Sequence, residues 1–119
     1  MNPRLVAVVE DDSSMLGSLE SLLESAGYEV LPYSSAEGFL RADRLRDINC
    51  LISDIGLPGM DGIELTRQIH LIRTDLVVVV ITARTEQRVF NAALSAGARH
   101  VFSKPLNSAQ LLDSVAAAV

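Results

Sequence analysis

Several things are scarce in this chain, and each scarcity excludes a class of protein. There is one cysteine, Cys50, so no disulfide can form within the chain, and its place in an apolar run predicts a buried thiol. The longest unbroken apolar run, Leu76 to Ile81, falls far short of the roughly 20 residues a membrane-spanning helix needs. The opening Met-Asn-Pro-Arg lacks the basic region, apolar stretch and small-residue cleavage site of a secretory leader. A cytoplasmic location is therefore expected. Positive charge is also in short supply: ten Lys and Arg stand against fifteen Asp and Glu, for a net charge of −5. That balance argues against binding nucleic acid through phosphate contacts. Nine of the ten basic residues are arginine, and the single lysine, Lys104, immediately precedes a proline.

What is present is a single domain's worth of core. The chain has 119 residues, 49% of them apolar and 21% charged, enough for one sizeable hydrophobic interior. Leu5 to Glu10 is a β-branched run suited to a central parallel strand. Met15, Leu16, Leu19, Leu22, Leu23 and Ala26 recur at helical spacing, with Gly27 as the stop signal. A second strand covers Tyr28 to Pro32. Ser34 and Glu37 have the spacing of a capping box for a helix over Ala36, Phe39 and Leu40, and Arg41 to Asp47 reads as a solvated helix end and loop. The third strand is Cys50–Asp54. Ile63, Leu65, Ile69 and Ile72 mark the buried face of a third helix. Leu76 to Thr82 is the most apolar strand. A fourth helix begins at Thr85 and carries Val89, Ala92, Ala93 and Ala96 before Gly97. Arg99 to Ser103 is a short fifth strand, and Asn107 with Gln110 caps a last helix through Leu111, Leu112, Val115 and Ala116. Neither linker nor repeat interrupts the pattern. Five strands alternating with five helices predict a doubly wound α/β fold, a five-stranded parallel sheet with helices on both faces.

The stretch that organises the rest is Cys50 to Gly59, Cys-Leu-Ile-Ser-Asp-Ile-Gly-Leu-Pro-Gly. A buried strand delivers one carboxylate, Asp54, to its carboxyl end, and turn chemistry follows. In the flavodoxin-like strand order 2-1-3-4-5, the switch point lies between the first and third strands. Glu10, Asp11 and Asp12, which end the first strand, then fall beside Asp54. Thr82 ends the fourth strand and Lys104 the fifth, so every reactive candidate lies at one sheet edge.

Glu10, Asp11 and Asp54 are expected to crowd within about 5 Å, where each like-charge pair costs about 3 kcal/mol at an effective dielectric near 20. Lys104 offsets part of this. A hard divalent ion with oxygen ligands offsets the rest, and Mg²⁺ fits best, with Mn²⁺ as a substitute. Asp12, just before the helix, is assigned to capping. The acidic loop, with no glycine before Gly17, would repel a bound nucleotide or flavin phosphate. With a metal in place, Asp54 suits nucleophilic attack on phosphorus, since phosphoryl transfer demands mainly positioning and charge neutralisation. Mg²⁺, the Lys104 ammonium, and the Thr82 hydroxyl with the Ala83 N–H would take the three phosphoryl oxygens. His70, within a helix at the far end from the acids, and His100, at the start of a strand, read as structural or solvent-facing.

The motifs Val-Val-Glu-Asp-Asp, Ser-Asp-Ile-Gly-Leu-Pro-Gly-Met-Asp-Gly, Val-Ile-Thr-Ala and Phe-Ser-Lys-Pro stand in order from end to end. With them the chain resembles the receiver domain of two-component response regulators. Its Ser-Ser-Ala-Glu-Gly-Phe-Leu stretch resembles receivers of nitrogen-fixation and quorum-type transcription factors. The resemblance implies Asp54 as phosphoacceptor, with Glu10, Asp11 and the Gly56 carbonyl as further metal ligands. It also implies Thr82 as switch hydroxyl, Lys104 as phosphate partner and a cis Lys104–Pro105 bond. A sensor histidine kinase is the expected donor. An output domain or a second copy is the expected partner at the surface of helix four, strand five and helix five, where Ala92, Ala93 and Ala96 would suit close packing. Residues 1–119 are expected to be one receiver domain, which can stand as the amino-terminal part of a longer regulator. One departure is Val101, at a position where the family usually carries an aromatic, flanked here by His100 and Phe102. Gly56 and Arg84 flank the site and are expected to set how long an acyl phosphate survives. Two other readings compete. A pseudo-receiver that is never phosphorylated has no need of the acid cluster, and a metal-dependent phosphatase would need a carboxylate at Gly56.

Overall fold

The computed structural model describes residues 4–119, so the Met-Asn-Pro read above for a leader lies outside the described residues. The elements alternate as expected: β1 (Leu5–Val9), α1 (Ser13–Ser25), β2 (Glu29–Tyr33), α2 (Ala36–Ala42), β3 (Cys50–Asp54), α3 (Gly62–Ile72), β4 (Val77–Thr82), α4 (Gln87–Ala96), β5 (His100–Ser103) and α5 (Ser108–Ala118). All neighbouring strands pair in parallel, in the order β2-β1-β3-β4-β5. No helix among the described residues is long and apolar enough to cross a membrane.

Strict alternation of side chains splits the interior into two halves. Ala7, Val9, Leu51, Val78 and Val80 point to the face covered by Phe39 of α2, Leu65 and Ile69 of α3, and Val89 and Ala93 of α4. Val6, Val8, Cys50, Ile52, Val79 and Ile81 point to the other face, under Leu19 and Leu23 of α1 and Leu111 and Val115 of α5. Both faces of β1, β3 and β4 are therefore dry, which is why these strands open as continuous apolar runs, β-branched for the most part in β1 and β4. Pro32 sits in β2, an edge strand, where a missing N–H costs the sheet nothing. Burial pushes the Cys50 thiol up to about 12, the inert buried cysteine expected from its neighbours.

Some helix positions differ from the sequence pattern. Ile72 is 71% exposed, although its spacing marks it as core; α3 ends there, and Arg73 departs from helical geometry. Ala92 and Ala116 are also exposed, as is Ala26, which lies just past the end of α1. The N-cap of α2 is Ser35, whose hydroxyl oxygen accepts from the Gly38 N–H at 3.0 Å, not Ser34. Asp12 and Asn107 cap α1 and α5 as expected, accepting from Met15 and Gln110. The start of α4 slips two residues, to Gln87, with no side-chain cap at Glu86.

Two tertiary contacts hold the connections in place. The Arg73 guanidinium donates to the carbonyls of Leu45 (2.9 Å) and Ile48 (2.6 Å), clamping the loop before β3. Gly62 opens α3 directly beneath the end of β3: a Cβ there would overlap the Asp54 carbonyl oxygen and lie 2.9 Å from Ile55 Cα. Gly62→Ala must push α3 away from β3, and thermal unfolding should show a loss of several °C or a protein that no longer folds. Arg73→Ala should cost about 2–3 kcal/mol in urea denaturation, because two buried-side carbonyls lose a charged donor; Arg73→Lys, with one ammonium, should recover part of it.

Candidate functional site

The site is assembled by register. Val9 pairs with Ser53, Asp54 with Ile81 and Thr82 with Ser103, so β1, β3, β4 and β5 end level at their carboxyl edges. The backbone continues this alignment beyond the strands: the Glu10 N–H donates to Tyr33 O (3.0 Å), Ile55 N–H to Ile81 O (3.0 Å) and Lys104 N–H to Thr82 O (2.8 Å). The residues that follow each strand therefore start from fixed points. Glu10, Asp11, Asp54, Thr82 and Lys104 are brought to this edge from four separate strands, as the topology predicts.

Glu10 is 1% exposed and Asp54 7%, whereas Asp11 is exposed. One carboxylate oxygen from each lies within 4.8 Å of the others. The Lys104 ammonium stands 3.1 Å from Glu10 Oε1 and 3.4 Å from Asp54 Oδ2. It bridges two buried acids that neither strand could neutralise alone. Burial raises the Glu10 carboxyl above its ordinary pKa. The Lys104 hydrogen bond works against that shift, and the Asp54 charge adds to it. Burial also pulls the Lys104 ammonium down, but the hydrogen bond to Glu10 and the charge of Asp54 outweigh it, and its pKa rises. Glu10 Oε2 additionally accepts from the Asp12 N–H at 3.3 Å. One ammonium set against three carboxylates leaves excess negative charge among hard oxygen donors. This is a donor set that suits a small divalent cation, so the residues fit the metal the resemblance implies.

Thr82 is 1% exposed, and its hydroxyl oxygen accepts from the Arg84 N–H at 2.9 Å. That bond fixes the oxygen while leaving the hydroxyl proton to donate. Ala83, the next residue, is exposed. The Arg84 guanidinium rests 3.5 Å from Glu86 and both side chains are about half exposed, so the pair is screened and easily exchanged. Gly56 is exposed, and a Cβ there would meet nothing within 4 Å. The Lys104–Pro105 bond is cis, as the resemblance implies.

Val101 is half-buried against the α2–α3–α4 side of the core. Its flanking aromatics do not replace a missing ring there: His100 and Phe102 stack on each other (5.8 Å between centroids, 5° between planes), and Phe102 packs with the α1–α5 cluster. Alternation along β5 puts them on the opposite face. His70 lies at the far end of α3, exposed, with its ring against Gly97; the site does not include it. The alanines of α4 divide, with Ala93 and Ala96 buried in the core and Ala92 exposed, so most of that stripe packs inward.

Sequence reasoning missed one residue beside the site. Glu37, assigned to capping, instead sends its carboxylate across to the turn after β3, where Oε2 accepts from the Met60 N–H at 2.9 Å. The only signal for this was the pair of adjacent serines, either of which can cap α2.

The family model described as response regulator receiver domain matches residues 6–116. Nodulation protein W of Bradyrhizobium diazoefficiens is 34% identical over 114 residues, covering 96% of this chain and 50% of the relative. The transcriptional regulatory protein FixJ of Azorhizobium caulinodans is 32% identical over 114 residues, 96% of this chain and 54% of the relative. The chain thus spans about half the length of these curated relatives. Among solved structures, a response regulator receiver domain protein (CheY-like) from Methanospirillum hungatei superposes with a TM-score of 0.89 at 29% identity, covering 98% of this chain and 93% of the other. Fold, edge-clustered acids and family match agree: this chain belongs to the response regulator receiver domains of two-component signalling systems.

Proposed function

We propose that this domain is a phosphoacceptor switch that takes a phosphoryl group from the phosphohistidine of a sensor histidine kinase onto Asp54. The supporting observation is the placement of the Asp54 carboxylate: almost buried, 3.4 Å from the lone lysine and within 4.8 Å of two further carboxylates. In the transfer, an ionised Asp54 oxygen forms a bond to phosphorus as the P–N bond of the donor breaks. The bonding pair and a proton from the medium leave with the imidazole, and no general base is needed. Glu10, Asp11, Asp54 and the Gly56 carbonyl would hold Mg²⁺, or Mn²⁺ in its place. Bound there, the ion supplies neutralisation of phosphoryl charge and of the acid cluster itself.

Lys104 pairs with one phosphoryl oxygen, exchanging its contact with Asp54 for one with the product. The Thr82 hydroxyl and the Ala83 N–H serve another. Moving Thr82 inward breaks its bond to the Arg84 N–H and shifts the loop leading into α4, which biases the surface of α4, β5 and α5. Leu94, 49% exposed on α4, offers an apolar anchor there. With Val101 on the α4 side of β5, the change is carried by the Thr82 loop without an aromatic rotor. Residues 1–119 are then the receiver of a longer cytoplasmic regulator with a transcriptional output, as the printed name of FixJ suggests. The α4–β5–α5 surface meets that output domain or a second copy, and the acidic segment itself does not bind DNA.

Intact-protein mass spectrometry after incubation with acetyl phosphate tests the acceptor and the metal together. The wild type should gain one phosphoryl group only when Mg²⁺ is present, and Asp54→Ala should gain none. A folded wild type that gains nothing under either condition supports the pseudo-receiver reading instead. Acyl-phosphate lifetimes test the flanking residues. Gly56→Asn should lengthen the lifetime severalfold by filling the open approach to phosphorus. Arg84→Ala should shorten it by removing a shielding guanidinium; unchanged decay in both variants would exclude this role.

A further inference from the structure

The turn between β3 and α3 carries Gly56, and its two halves are held in different ways. The near half is anchored from within: Ile55 and Leu57 are buried, the Ile55 N–H donates to Ile81 O, and the Leu57 N–H donates to Ile55 O at 2.9 Å. The far half is Pro58 to Met60, of which Pro58 and Gly59 are exposed and Met60 is partly buried against the α2–α3–α4 side of the core. Its hydrogen bond to another element is the one from the Met60 N–H to Glu37 Oε2, spanning 23 positions of sequence. Gly59 lies directly under the same carboxylate. It has a φ of +72°, and a Cβ there would come 3.2 Å from Glu37 Cδ. A side chain at residue 59 would therefore be strained and would displace the tether. Ser35 caps α2, so the Glu37 side chain is not the cap. The bond from Met60 also holds the Glu37 carboxyl below the usual carboxylate range.

We infer that Glu37 is a positioning residue for the candidate metal site, tethering the β3–α3 turn so that the Gly56 carbonyl is presented beside Glu10, Asp11 and Asp54. This rests on the receiver chemistry proposed above. Gly56 itself has open space around it, so its carbonyl is placed by the chain on either side of it: buried Ile55 before it, and after it buried Leu57 with, further along, the Glu37 tether. Outer partners of this kind act on metal affinity by fixing the ligand's direction and are commonly worth about 10–100-fold when bonded to the ligand itself. Glu37 acts through four residues of chain, so a smaller effect is expected.

Mg²⁺ affinity measured by titration calorimetry on the unphosphorylated 119-residue chain, together with amide hydrogen exchange at Met60, tests the role without any turnover. Glu37→Ala should weaken Mg²⁺ binding roughly three- to tenfold and speed Met60 exchange. Two further variants separate reach from charge. Glu37→Gln keeps the length and an accepting oxygen, and should stay within about twofold of wild type, since the tether needs only an acceptor. Glu37→Asp keeps the charge near the α2 N-terminus but is one methylene shorter, and should behave like Glu37→Ala. The reverse order, with Asp restoring binding and Gln failing, would reduce Glu37 to a helix-start charge and overturn the inference. Wild-type Mg²⁺ affinity in Glu37→Ala would overturn it as well while leaving the receiver chemistry standing. A wild type that binds no Mg²⁺ would remove both, with Met60 exchange showing whether the tether itself exists.

Discussion

The bridge from Lys104 to Glu10 and Asp54 is the constraint on which the carboxyl edge of this sheet depends. Two nearly buried carboxylates from different strands are brought close enough to repel, and a third stands beside them at the surface. Such an arrangement persists in a fold only with a cation at hand. The lysine comes from the far side of the sheet, 94 positions from Glu10 in sequence. Its backbone is held by the Thr82 carbonyl, so the ladder between β4 and β5 sets the reach of its side chain. The position of the neutralising charge is thus tied to the strand that carries the Thr82 hydroxyl.

Neutralisation remains incomplete within the protein itself. One ammonium for three carboxylates leaves a site that a divalent cation would complete and that a negatively charged group can enter only when further positive charge accompanies it. The raised pKa values of Glu10 and Lys104 come from the same coupling: burial and a like charge act on the acid, while two acids act on the base. Around this charged edge the parts differ in rigidity. The strand ends are locked by β-branched packing on both faces of the sheet. The exposed far half of the β3–α3 turn and the loop into α4 lean on few side-chain hydrogen bonds, from the Met60 N–H to Glu37 and from the Arg84 N–H to Thr82. A change of charge at the edge can therefore move the loops while leaving the sheet intact.

The apolar patterns made much of this legible. Runs such as Leu5–Val9 and Val77–Ile81 are apolar throughout and rich in β-branched residues because both faces of their strands are dry, so strand identity and the parallel class followed from composition. The capping residues Asp12 and Asn107 were readable because a cap is a local hydrogen bond between residues three apart. Where the reading went astray, the deciding interaction was not local. Ser34 and Ser35 both precede α2; Ser35 caps it, accepting from the Gly38 N–H, while Glu37, the capping-box partner expected for Ser34, turns to the distant Met60 N–H. Ile72 has core spacing, but α3 ends at that residue and its face passes beyond the neighbouring helices. His100 and Phe102 flank Val101 in sequence, yet strand alternation places them on the other side of the sheet.

By itself, the sequence determined the elements, their order and the chemical inventory at the strand ends, since each depends on periodicity and residue type within about a dozen positions. Tertiary structure decided which of those groups meet, and at what distance. Lys104 between Glu10 and Asp54, Glu37 under Gly59, Gly62 against the Asp54 carbonyl and Arg73 on the carbonyls of Leu45 and Ile48 are all contacts between separate elements. Their geometry comes from how the helices seat on a twisted sheet, and no local pattern of residues encodes it.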